Sequence, residues 1–420
     1  MADKLIHSQS GFKPKIMPRE STVLESNIDR AQSLDPDVTL NYHEDEELGR
    51  DGLVETTHMS NNIGCRLSTR EYGSMELFRR LGNKANSVST MTLADFESAA
   101  FDIVGYLQDT DGDAFGTVWY EEQRMAGFSI NIPSPEDAID RSFDFVGEKG
   151  KILKGVNKYL IPLVVTVDSD DAGSLDIVLG SGDYGNYPDP VVDPNNAGVY
   201  ILKAYRIRAG VTTDLSTNLA GNGYTYTDGT TTINVAAAED GDVYKFYYSA
   251  GSYITGSTAW TANDSDLPSI LGHSARVYLG TSNRLYRLQD CTVDVRLTRA
   301  DNKEIGNKDV VQRGVDDKEV SVTIGRILQN YAIEDLLASG TDADDAIIDL
   351  ESLSDGFTLI VALYSDYNQT TFKMGYKATG LYPSNIKPST ASVGAMVNAG
   401  DTLTGKALTI TSDVSELGIS

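Results

Sequence analysis

The chain has 420 residues, enough for two or three domains that each bury a core, and its 61 acidic against 35 basic residues leave a formal net charge of -26. That balance argues against a protein that grips nucleic-acid phosphates, because such affinity comes from lysine and arginine releasing counterions from the polyanion. Two cysteines, Cys65 and Cys291, supply neither a disulfide framework nor a paired zinc motif, and both are expected as small apolar core residues of a protein made in a reducing place.

In chain order, residues 1–20 lack periodicity and read as an extended arm. Residues 21–155 begin with an alternating stretch in which Leu34, Val38 and Leu40 oppose Asp35, Asp37 and Thr39, the pattern of a half-buried strand. A charged loop follows, then a second alternating strand with Ile63, Cys65 and Leu67 on one side, then a helix over "YGSMELFRRLG", closed by Gly82 as a C-cap. "FDIVGYLQD" is apolar on both faces, as a buried central strand should be. Residues 156–195 are turn-rich and read as a connecting segment. Residues 196–260 alternate tyrosine or β-branched residues with polar ones between Asp-Gly turns, the signature of a small inserted Ig-like β-sandwich. A linker, 261–274, leads into residues 275–418.

That last segment repeats the first. Arg30 to Val54 and Arg287 to Val311 align without a gap at an offset of 257 residues, with eight identities in twenty-five positions, among them Asp37 with Asp294, Glu47 with Glu304 and Gly49 with Gly306. At the same offset Ile63, Cys65 and Leu67 fall on Val320, Val322 and Ile324. A helix is expected again over "NYAIEDLLASG", and "FTLIVALYSD" answers "FDIVGYLQD". The tails "SFDFVGEKGKIL" and "DTLTGKALTI" each read as one final strand. The fold class is therefore mainly β: two duplicated sandwich or barrel domains, repeat A at 21–155 and repeat B at 275–418, each with one short helix, plus the inserted sandwich.

No motif carries catalysis, and no enzyme, cofactor or metal site is expected. The four histidines, His7, His43, His58 and His273, share no ligand spacing. "DTDGD" at Asp109 to Asp113 places carboxylates at alternate positions, but it lacks the glycine at position six and the glutamate at position twelve of a calcium loop. "GSGDYGN" has no following helix start or lysine to hold phosphate. There is no run of about eighteen apolar residues and no charged-then-apolar leader, so neither a membrane span nor secretion is expected.

The order of alternating strand, "E-I/L-G-x-x-x-x-V" loop, second strand ending "IGCRLSTR" or "VSVTIGRI", and short helix resembles the tail tube proteins of tailed bacterial and archaeal viruses. The resemblance covers both repeats, and it implies a virion protein assembled in the host cytoplasm. Six domains would form a ring, supplied by three chains with two domains each. Rings would stack into a tube, with a tape measure protein and a tail terminator as further partners. Double-stranded DNA would pass through without tight binding. It also implies that Asp35, Asp37, Asp294 and Glu319 line the lumen, diluted by Arg66 and Arg296. The loops carrying Glu47, Gly49, Glu304 and Gly306 would meet neighbouring subunits or the next ring. An outward-projecting inserted sandwich favours a non-contractile tail. The competing readings are a modular cell-surface or secreted carbohydrate-binding protein, and another virion component such as a capsid or baseplate subunit.

Overall fold

A computed structural model of the chain describes residues 12–19, 26–40, 42–45, 55–58, 61–109, 113–195, 199–216, 224–227, 232–256, 268–286, 288–302, 312–328, 332–339, 356–366, 368, 370–390 and 398–419. They are mainly β, and every strand pairing is antiparallel. Among the described residues no helix is long and apolar enough to cross a membrane. The chain forms two compact units. The first comprises Met1–Asp29, Ala100–Gln123 and Gly147–Asp264, and the second Arg30–Ala99, Arg124–Val146 and Ser265–Ser420.

The second unit is built on eight strands: β1 (Ala31–Thr39), β2 (Asn62–Arg70), β3 (Ala114–Ile132, of which residues 124–132 lie in this unit), β4 (Asp140–Val146), β5 (Leu288–Asn302), β6 (Gln312–Ile327), β7 (Phe372–Thr390) and β8 (Asn398–Gly405). Their pairings give the spatial order β1-β2-β4-β3-β5-β6-β8-β7. The second block of four repeats the order of the first.

The register repeats as well. Leu34, Pro36 and Val38 face Leu67, Cys65 and Ile63, and 257 residues later Cys291, Val293 and Val295 face Ile324, Val322 and Val320. A one-residue shift falls between Ala31 and Ser33 in β1 and between Leu288 and Asp290 in β5. Another falls between Asp144 and Phe145 opposite β3, and between Pro383 and Asn385 in β7. Bulges bend a strand and raise its twist, so the two blocks curve at matching points.

The two expected helices are α1 (Glu76–Leu81) and α2 (Ala332–Ser339). Gly82 does sit at the C-cap of α1, but with φ -94; the left-handed turn is taken by Asn83 at φ 53. Asparagine tolerates that conformation through local hydrogen bonding of its side chain. Phe78 on α1 is fully buried and meets the rings of Phe96, Phe128, Phe143 and Tyr376 edge-on. Beside it the buried Arg141 lies 3.3 Å from Glu71, whose other contacts include the hydroxyl of Tyr376 at 2.8 Å. Repeat B buries its own arginine one strand over: Arg326 on β6 pairs with Glu334 of α2. A second sheet in this unit runs Asn283–Arg284, Ala275–Leu279, Phe357–Tyr364, the first part of β7, Ala407–Thr411, Thr90–Thr92.

The first unit contains a sheet ordered Ser26–Asn27, Phe12–Pro18, Phe101–Gln108, residues 114–123 of β3, Lys149–Lys154. Its five strands match, in order, the first five of the repeat B sheet just described, which adds Thr90–Thr92 at its edge. Each tail read as one strand is therefore two, split at Val146 to Lys149 and at Gly405 to Ala407, because the chain turns there to enter another sheet. Phe12–Pro18 belongs to an arm read as extended; it is a paired strand, followed by Arg19, which donates to Asp102 at 2.9 Å and to Glu122 at 2.7 Å.

Two further sheets share one apolar core in this unit. One is Tyr159–Thr166, Val243–Ala250, Ile201–Arg208, Val211–Asp214, and the other Ser174–Val178, Thr232–Ala236, Tyr224–Thr227. Two of these seven strands lie in the segment read as a connection, 156–195. The run "YLIPLVVT" pairs along its whole length with Val243–Ala250, and Leu163 and Val165 enter the core, so burial overrides the turn-rich composition around it. Phe78→Ala removes the ring on which four aromatics converge and should cost about 3–5 kcal/mol in the unfolding of the second unit, read by equilibrium denaturation.

Candidate functional site: the polar face of the eight-stranded sheet

Side chains alternate across each strand, so the register fixes which residues share a face. Cys65, Leu67, Phe143, Phe145, Val293, Val295, Val322 and Ile324 are buried on one side. On the other side Asp35 stands opposite Arg66, Arg66 opposite Asp144, Asp294 opposite both Ser321 and Ser129, and Arg296 opposite Glu319. The sequence pattern named Asp35, Asp37, Asp294 and Glu319 separately in two repeats; the sheet brings all four to one solvent-facing surface. Glu47, Gly49, Glu304 and Gly306 lie outside the described residues.

The face has a repeating build. Hydroxyls link strands across it: Ser129 with Ser142 at 2.8 Å, Thr292 to Asn131 at 3.1 Å, and Thr404 to Ser384 at 2.8 Å. Asp35, Asp37, Asp140, Asp144, Asp294 and Glu319 stand among Arg66, Arg70, Arg296 and Lys387, so carboxylates outnumber cations there. Two cations sit beside carboxylates, Arg70 with Asp140 at 2.7 Å and Arg66 with Asp144 at 3.5 Å. Both pairs are solvent-exposed and contribute little to stability, but they order the side chains along the strands.

Asp294 stands among groups of both signs on this face. Its carboxyl titrates above the ordinary range, chiefly because it is partly desolvated, with Asp144 and Glu319 adding repulsion and Arg296 and Arg66 opposing it. Gly127 permits a close approach across the β3–β5 seam: a side chain there would meet the carbonyl of Val295 at 2.5 Å. Alternation sorted Asp35, Asp37 and Asp294 from the apolar residues beside them and the resemblance added Glu319, but nothing local marked Asp140, Asp144, Ser129 or Asn131 as their neighbours, since those strands follow the helix in sequence and reach the face only through pairing.

Among the described residues no group of three or more His, Cys, Asp or Glu is gathered to hold a metal. Asp109 and Asp113 close their turn on one another, the amide of Asp113 donating to the Asp109 carboxylate at 2.9 Å. Cys65 and Cys291 are buried, and desolvation pushes both thiols up to about 12. A cavity of about 170 Å³ at the foot of β5 is lined by residues including His273, Arg284, Tyr286 and Asp290.

No family model matches the chain, and no curated protein matches it. Among solved structures, a chain of the anti-feeding prophage (AFP) baseplate, determined by cryo-electron microscopy with six-fold symmetrisation, is similar over 37% of this chain and 98% of its own, with 11% identity and a TM-score of 0.29. A likeness of this size fixes neither the fold nor the function.

The raised titration of Asp294 has a stability consequence. A carboxyl whose folded value exceeds its unfolded one costs stability when ionised, and the cost disappears as pH falls through the folded value toward the unfolded one. Asp294→Asn should therefore raise the melting temperature at pH 7, with the gap from the parent closing in acid; a lower melting temperature at pH 7 would mean that the carboxylate is held by favourable partners.

Proposed function

We propose that this chain is a structural virion protein that forms stacked rings of a viral tail tube, a hollow, acidic-faced conduit for genome delivery. One observation carries the reading: two four-stranded blocks of the same strand order follow each other in a single antiparallel sheet with bulges at matching points, with a charged polar face on one side and a buried face on the other. Such a sheet is a segment of a wide barrel, and closure with further copies removes the edges that an open sheet leaves. The duplication lets a ring of three chains present six near-equivalent positions, a symmetric closed assembly.

On this reading the polar face lines the channel. Net negative lining keeps a polyanion from adsorbing as it moves, in keeping with the charge of the whole chain. Hydroxyl and amide side chains between the acids hydrate the wall without binding bases. The loops that carry Glu47, Gly49, Glu304 and Gly306 would meet adjacent subunits or the next ring, and a tape measure protein and a tail terminator would meet the tube along its length and at its end.

Electron microscopy of the purified protein should show stacked rings with a central hole; persistent monomers, or glycan-binding particles without a hole, would overturn the reading. In particles, Asp294→Lys with Thr323→Lys adds positive charge to the polar face and should slow DNA release with the tube intact. Unchanged release kinetics would remove this face from the channel.

A further inference from the structure

Within the second unit β3 and β5 form a seam between the two blocks, and the blocks share strand order and, over most of their length, register. The outer edges of the sheet are β1 and the latter part of β7. Among the described residues β1 pairs only with β2, and residues 382–390 of β7 pair only with β8. We propose that β7 of one copy pairs with β1 of the next in the register of that internal seam, with Lys387 opposite Asp37. This rests on the ring reading and specifies its interface.

The register follows by substitution. In the internal seam Asp294, Val295 and Arg296 stand opposite Ser129, Phe128 and Gly127. The counterparts of the first three in β1 are Asp37, Val38 and Thr39, fixed by facing Gly64, Ile63 and Asn62 as the later residues face Ser321, Val320 and Glu319. The counterparts of Ser129, Phe128 and Gly127 in β7 are Lys387, Ile386 and Asn385. They stand opposite Gly400, Asp401 and Thr402 of β8, as the earlier residues stand opposite Ser142, Phe143 and Asp144 of β4, each set ending at the same bulge. Copy to copy, Asp37 therefore meets Lys387, Val38 meets Ile386, and Thr39 meets Asn385.

Two observations favour this occupant. Val38 is 53% exposed and Leu40 51%, whereas their counterparts are buried: Val295, which pairs across the internal seam, is 2% exposed, and Leu297, just beyond it, 1%. Lys387 and Asp37 are both exposed, of opposite charge, and on the polar face of the sheet. Cross-strand pairs of opposite charge favour the register that joins them. Asn385 stands where the internal seam has Gly127, so a side chain must fit at the copy-to-copy seam; the sheet does the same within the chain, where Ser321 stands at the counterpart of Gly64.

The test uses full-length chains carrying single cysteines, mixed and oxidised. Directly opposed strand residues lie within disulfide reach, and residues two positions off do not. Asp37→Cys mixed with Lys387→Cys should give disulfide-linked dimers, and Asp35→Cys or Thr39→Cys mixed with Lys387→Cys should not. In a second arm, Asp37→Lys should reduce ring yield by about ten-fold or more, and Lys387→Asp in the same chain should restore it. Rings that cross-link in another register, or that form undiminished with Asp37→Lys, would overturn this seam and leave the tube reading standing. Absence of rings from the unsubstituted protein would overturn both.

Discussion

Cys291 to Arg296 run antiparallel to Ile132 to Gly127, and this short seam turns two similar blocks into one eight-stranded sheet. Without it each block would end in an unpaired edge on both sides, with backbone donors and acceptors left to solvent or to an arbitrary partner. With it, Val295 is covered, Asp294 and Arg296 are held on the polar side, and the bulges of the two blocks fall in one continuous sheet. Gly127 matters here for a steric reason, since the Val295 carbonyl occupies the space a side chain would need.

The buried polar groups show how duplication leaves room for divergence. Both blocks bury an arginine against a glutamate, but Arg141 lies on β4 and pairs with Glu71, while Arg326 lies on β6 and pairs with Glu334 on α2. A buried guanidinium needs a carboxylate wherever it sits, so the pair moves together or not at all. The apolar positions around them changed less: Leu67 and Ile324, or Phe145 and Leu403, hold equivalent places because each fills the same space beneath the same bulge pattern.

In the first unit, buried charge holds separate strands together. Arg19 reaches Asp102 and Glu122, Lys203 lies 3.3 Å from Glu121, and Lys245 donates to the carbonyl of Pro18 at 2.7 Å. Arg19 and the two lysines would be costly to bury alone, so their partners fix the path of Phe12–Pro18 more firmly than the arm's composition suggests. Glu122, with φ 56, takes a left-handed conformation at this ion cluster.

The sequence by itself determined the duplication, its offset of 257 residues, the mainly β character and the alternation that sorts Asp35, Asp37, Asp294 and Glu319 from the apolar residues beside them. These are local properties, since a strand's period of two and a helix's apolar stripe are written in neighbouring residues. Only the tertiary structure decided that the four acids share one face with Asp140 and Asp144, that 156–195 supplies sandwich strands, and that each repeat's tail divides between two sheets. Those outcomes depend on which distant strands pair, and pairing partners leave no periodic mark on either strand. Val38 and Leu40 show the difference most plainly: their alternation matches that of Val295 and Leu297, yet the first two are exposed and the second two are buried, a difference that only strand pairing creates.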